Sequence, residues 1–138
     1  MNRWLEFLPH QIPFRAASSS TKTSDSSVEG CFISSPDDAL YTGGSIPEIL
    51  VVEAMAQIAG SLVFGPSAAP GFLSAIDEAR FEGPLVLGER LELRVTLDAQ
   101  FGRIHRFRGI ALRGGLQFAT AKFYLAGAEE TAATDAQI

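Results

Sequence analysis

From Leu91 the chain alternates. Leu91, Leu93, Val95 and Leu97 are apolar, and Glu92, Arg94, Thr96 and Asp98 lie between them. This is the two-residue period of a strand with one wet face. Ile104 to Leu112 and Leu116 to Leu125 keep the same character, and Arg113-Gly114-Gly115-Leu116 between them suits a tight hairpin. Phe72 to Ile76 reads as a further strand, which Asp77-Glu78-Ala79-Arg80-Phe81 extends at a sheet edge. Upstream, residues 12–20 and 28–35 read as two strands, with Cys31 and Ile33 alternating inward in the second. The Ser/Thr-rich run from Ala16 to Ser27 suits either a polar strand edge or a loop. Near the start, Asn2 can cap a short helix that ends before Pro9.

One stretch has no two-residue period. From Ile46 to Val63 apolar residues go all the way round a helix: Ile46, Ile49, Leu50, Val51, Val52, Ala54, Met55, Ala56, Ile58, Ala59, Leu62 and Val63. A helix apolar on every face belongs in an interior. Glu48, Glu53, Gln57 and Ser61 interrupt it, and its length is short for a membrane span. Ser45 and Glu48 have the spacing of a capping box, and Pro47 is tolerated in a first turn. One buried helix followed by long antiparallel strands is an α+β plan, with a curved sheet wrapped around the helix. Such a sheet leaves an open edge, which pairing two protomers edge to edge would close.

Length changes this picture little: 138 residues make one domain with a real core, taken as residues 1–126, with 127–138 as a frayed tail. The net charge of −5 argues against a nucleic-acid binder. Cys31 is the sole cysteine, and with only His10 and His105 beside it a His/Cys metal site is not expected. The start of the chain lacks the apolar core of a signal peptide, so a cytoplasmic address without a membrane is the expectation.

Glu53 is the residue that points to chemistry. It sits at the centre of a helix that otherwise excludes water, with Gln57 one turn on. An unpaired carboxylate there costs several kcal/mol. It faces either a polar gap or a subunit boundary, or it is a working acid.

The phrases LPHQIPF (Leu8 to Phe14), IPEILVVEAMAQIAG (Ile46 to Gly60) and FLSAIDEARFEGPLVLGERLEL (Phe72 to Leu93) occur in that order before the closing strand pair. Together they resemble the FabZ-type 3-hydroxyacyl-acyl-carrier-protein dehydratases, which have the hot dog fold. The resemblance implies a dimer with acyl tunnels at its interface, and a thioester substrate carried on phosphopantetheine of an acyl carrier protein or coenzyme A, with no further cofactor. It also implies a reaction in which a histidine takes the C2 proton and a helix carboxylate protonates the leaving hydroxyl, while peptide N–H groups at a helix N-terminus stabilise the enolate. By resemblance Glu53 is the carboxylate and Gln57 the glutamine after it, while Pro47, Glu48, Ile49 and Tyr41 lie where substrate binds. Glu48 stands where the family usually has glycine. The family's histidine position, fourteen before Glu53, is Ala39. His10 reads as structural, His105 as a ring on a solvated strand face, and Asp38 as a turn aspartate that could act as a base.

Three functions stay open at this level. The chain is a dehydratase subunit, inactive alone, whose site is completed by a histidine from a different, related chain, the pairing being as a homodimer or as a heterodimer with a related hot dog subunit. Alternatively it is a thioesterase that uses Glu53 without histidine, or a non-catalytic acyl-binding module. Arg80, Arg103, Arg106, Arg108 and Arg113 are candidates for docking an acidic carrier, or simply a solvated face.

Overall fold

The computed structural model describes residues 17–33, 47–64, 72–86 and 88–127. Six strands form one antiparallel sheet: β1 (Ala17–Ser24), β2 (Ser27–Ile33), β3 (Phe72–Phe81), β4 (Arg90–Phe101), β5 (Ile104–Arg113) and β6 (Leu116–Ala126), in the spatial order β1-β2-β4-β5-β6-β3. The single helix among the described residues is α1 (Ile49–Val63). The sheet curls around it, as an α+β hot dog arrangement requires. The short helix expected near residue 2, the tail from residue 128 and the segment around Ala39 lie outside the described residues.

The strand alternation places the core. Leu91, Leu93 and Val95 on β4 and Phe107 and Ala111 on β5 are at most 1% exposed, as are Val51, Val52, Met55 and Ile58 on α1. Burying these side chains supplies most of the stabilisation, at about 25 cal/mol per Å² of apolar surface. The hairpin read at Gly114-Gly115 is present, and both glycines have positive φ, 56° and 85°, a conformation that costs other residues strain.

Of the two alternatives for the Ser/Thr-rich run, it is the polar edge strand: β1 from Ala17, turning into β2 through a tight Ser24–Ser27 connection. Two readings from the sequence are corrected. In β2 the phase is the reverse of the expectation. Val28, Gly30 and Phe32 face the helix, while Cys31 pairs with the outward Glu92 and Ile33 is 41% exposed. Gly30 hid the pattern because it contributes no apolar side chain, yet an added Cβ there would meet Ile58 and the Ser19 carbonyl. Finally, the helix begins at Ile49 rather than Ile46. Glu48 is its N-cap residue in αR geometry and makes no side-chain capping bond to the helix, and Ser45, the other half of the expected capping box, lies outside the described residues. The Leu50 and Val51 N–H groups instead donate to the carbonyls of Pro47 and Glu48, 3.1 and 2.9 Å away, a 3₁₀ first turn.

Candidate functional site

At about 100° per residue, Ile49, Gln57, Gly60 and Phe64 fall within about 40° of Glu53 on the helix surface. Val51, Met55 and Ile58, the residues pressed on the sheet, fall on the opposite side. Glu53 therefore lies on the one ridge of α1 that the sheet does not cover, and it is half-buried there. Ile49, one turn before it, is 48% exposed. A carboxylate in such a position is dehydrated in part but can still be reached by a second molecule, which is the setting a proton-transferring acid needs.

One flank of the ridge is polar and fastened to β1. Gln57 Oε1 accepts the Ala17 N–H at 3.0 Å, and the Ser61 and Ser20 hydroxyls meet at 3.1 Å. Gln57 thus serves the start of an edge strand, and neither it nor Glu53 is without polar or electrostatic partners. Ser61 was not singled out from the sequence, although the spacing Glu53, Gln57, Ser61 at four-residue intervals marks a single row.

Among the substrate-binding candidates, Pro47 precedes the helix, Glu48 caps it and Ile49 opens it. The first-turn N–H groups of Leu50 and Val51 are already engaged by the chain's own carbonyls, so they are not idle donors for an enolate. Asp38, Ala39, Tyr41 and His10 lie outside the described residues.

His105 corrects another expectation. It is 8% exposed on the inner face, not solvated, because β5 sends His105, Phe107, Gly109 and Ala111 to the helix side. Its ring meets Phe64 edge-on at 5.5 Å and lies near Phe107 at 6.5 Å, and its Nδ1 has no hydrogen-bond partner among the described residues. Phe64 follows Glu53 by eleven residues, about 16 Å at 1.5 Å per helical residue. His105 is therefore at the other end of the helix from Glu53 and is not its basic companion within one protomer.

The arginines divide. Arg113 binds both Glu89 oxygens and the Pro84 carbonyl, and its guanidinium lies 4.1 Å from the Phe118 ring centre, so it clamps a loop instead of offering a docking charge. Arg106 and Arg108 share Asp98 at 3.1 and 3.6 Å, and Arg80 pairs with Glu78 at 2.8 Å, all on exposed strand positions. Hydrogen bonding to Tyr124, then the charge of Asp98, holds the Arg106 guanidinium above its ordinary pKa despite some desolvation. A cavity of about 300 Å³ lined by Ser19, Thr21, Cys31, Arg90, Glu92 and Arg94 opens on the outer sheet face, with the sheet between it and Glu53. Among the described residues no cluster of His, Cys, Asp and Glu is placed to hold a metal ion, and no helix is long and apolar enough to cross a membrane.

No family model matches the chain. It is 32% identical over 122 residues to the 3-hydroxyacyl-[acyl-carrier-protein] dehydratase FabZ of Salmonella arizonae and to that of Salmonella newport, covering 80% of this chain and 81% of theirs. Its fold matches the dehydratase heterocomplex ApeI:P from Xenorhabdus doucetiae with a TM-score of 0.76 at 22% identity, over 94% of this chain and 93% of that one. A hot-dog-like protein from Thermanaerovibrio acidaminovorans matches with a TM-score of 0.64 at 16% identity, over 83% and 89%. A hypothetical thioesterase with coenzyme A from Streptococcus pneumoniae matches with a TM-score of 0.62 at 14% identity, over 80% and 84%.

Proposed function

The chain belongs to the FabZ family of 3-hydroxyacyl-[acyl-carrier-protein] dehydratases, and on that footing we propose that it works on 3-hydroxyacyl thioesters as one half of a two-chain dehydratase. The observation that carries this reading is Glu53, kept half-buried on the accessible ridge of the helix. Ala39 stands at the aligned histidine position, and the one described histidine is at the far end of the helix.

In this reading the C2 proton passes to a histidine of a second, related chain. The C3 hydroxyl takes a proton from Glu53 and leaves as water, and a double bond forms between C2 and C3. Each transfer contributes on the order of 10²–10⁴-fold, so a chain with the acid alone is slow. The substrate is carried on phosphopantetheine, by an acyl carrier protein or coenzyme A, in fatty-acid or polyketide-type biosynthesis. The second chain docks along β3, whose outer edge has no partner strand among the described residues. That a fold neighbour is a dehydratase heterocomplex supports this pairing.

Co-expression with a related, histidine-bearing chain tests it. The expected result is a co-purifying complex that dehydrates 3-hydroxyacyl thioesters, slowed at least a hundredfold by Glu53→Gln in this chain, with little activity from this chain alone. Full activity of the isolated chain, or persistent homodimers beside every candidate partner, would overturn it. A second reading, thioester hydrolysis by Glu53, is supported by the fold match to a hypothetical thioesterase with coenzyme A. It predicts acyl-CoA hydrolysis that Glu53→Gln abolishes, and equal rates in both proteins would dispose of it. If Glu53→Ala leaves acyl binding intact and stability unchanged, the chain is a binding module.

A further inference from the structure

The outer face of the sheet carries a cluster of like charges. β5 sends Phe107, Gly109 and Ala111 to the helix side, so Arg106 and Arg108 point outward. Residues paired across strands share a face. Arg108 is paired with Lys122 on β6, and Arg106 with Tyr124. Asp98 meets the two arginines, at 3.1 Å from Arg106 and 3.6 Å from Arg108. Glu78 on β3 is opposite Lys122, but it is bonded to Arg80 at 2.8 Å, and Lys122 has no ion pair among the described residues. Three cations thus gather around one carboxylate in a chain of net charge −5.

Two features set this cluster apart from a plain solvated face. Like charges directly opposite one another weaken a sheet, and Asp98, the carboxylate within reach, is already divided between Arg106 and Arg108. Beside them Phe101 is 58% exposed, with the Arg106 guanidinium 6.0 Å from its ring centre. Arginine, tyrosine and phenylalanine are the residues over-represented where proteins meet. The spacing also suits a helix. Arg106 and Arg108 are about 7 Å apart along the strand, and Arg108 and Lys122 about 5 Å apart across it. Glutamates at i and i+3 or i+4 of a helix stand about 5–6 Å apart. An anionic lipid surface would be repelled by Asp98, Glu78 and the negative net charge, whereas a protein can match each charge singly.

We propose that Arg106, Arg108, Lys122 and Phe101 dock an acidic amphipathic helix of another protein. Its carboxylates would lie on the three cations and an apolar side chain on the Phe101 ring. The sheet lies between this face and Glu53, so the partner does not present a thioester to Glu53 of the same protomer. Docking here is therefore independent of the reaction proposed at Glu53.

The probe is a fluorescein-labelled helical peptide with glutamates at four-residue intervals and a leucine beside them, titrated with the full chain and followed by anisotropy. Binding is expected at low salt, weakening as salt is raised. The same peptide with glutamine for every glutamate should bind about tenfold more weakly. Lys122→Glu and Phe101→Ser should each lower affinity about tenfold. Lys122→Glu turns the like pair into an opposite one and should melt no lower than the parent. Glu53→Gln should bind as the parent does. No binding of the glutamate peptide, or equal affinity for both peptides, would overturn the proposal, as would affinities unchanged in Lys122→Glu and Phe101→Ser. Binding lost in Glu53→Gln would overturn it by moving the peptide to the helix side of the sheet. Binding to phosphatidylglycerol vesicles without peptide binding would overturn it in favour of a lipid surface.

Discussion

His105 carries an imidazole where its neighbours are the phenyl rings of Phe64 and Phe107, and its Nδ1 gains no hydrogen bond among the described residues in exchange for leaving water. His105→Phe keeps the aromatic contacts and removes the orphan atom. Urea unfolding should show it at least as stable as the parent, by up to about 1 kcal/mol. Arg113 is the opposite case, since every face of its guanidinium is used, by Glu89, by the Pro84 carbonyl and by the Phe118 ring. Arg113→Met leaves the Glu89 carboxylate, 14% exposed, without its cation. It should cost about 1–3 kcal/mol, with a smaller loss for Glu89→Gln, which keeps a hydrogen-bonding oxygen. Equal losses in the two variants would show that the charge pair, and not the arginine's further contacts with Phe118 and Pro84, carries the effect.

At the scale of elements, β1 is held by its backbone pairing with β2 along one edge and has few polar ties to the helix. Every residue of β1 after Ala17 is exposed, and among the described residues its ties to α1 are the Gln57 bond to the Ala17 N–H and the Ser20–Ser61 contact. Gln57→Leu should speed amide exchange across Ala17–Ser24 while lowering global stability by only about 1 kcal/mol. Uniform loss of protection across the whole sheet would contradict that localisation. Gly30 sets how closely β1 and the helix approach β2, because a side chain there meets the Ser19 backbone, which cannot swing aside as a rotamer can. Gly30→Ala should therefore destabilise by about 1–3 kcal/mol, read as a drop in denaturation midpoint at constant slope.

At the scale of the molecule, two sheet edges are unpaired among the described residues, and they are unlike. The β1 edge is hydroxyl-rich and carries Lys22, features that discourage pairing. The β3 edge is longer, and Ile76 beside it is 38% exposed. Association along β3, as proposed above, should make the chain sediment as a dimer or larger complex, and Ile76→Lys should weaken that association at least tenfold without unfolding the protomer. A variant that stays associated would move the interface elsewhere.

The amino-acid sequence by itself determined the strand alternation of β4 to β6, the hairpin at Gly114-Gly115, the single apolar helix, and Glu53 as the charged residue inside it. These follow from local period and turn chemistry, which neighbours in the chain dictate. It was also enough to show the family likeness. Only the tertiary structure decided which face of β2 meets the helix, that His105 points inward although arginines flank it, and that Arg113 is spent on Glu89. It alone placed Glu53 on the uncovered ridge with Phe64 at its far end. Each of these depends on which distant strand lies opposite a residue, and one step of register sends a side chain to the other face of a sheet.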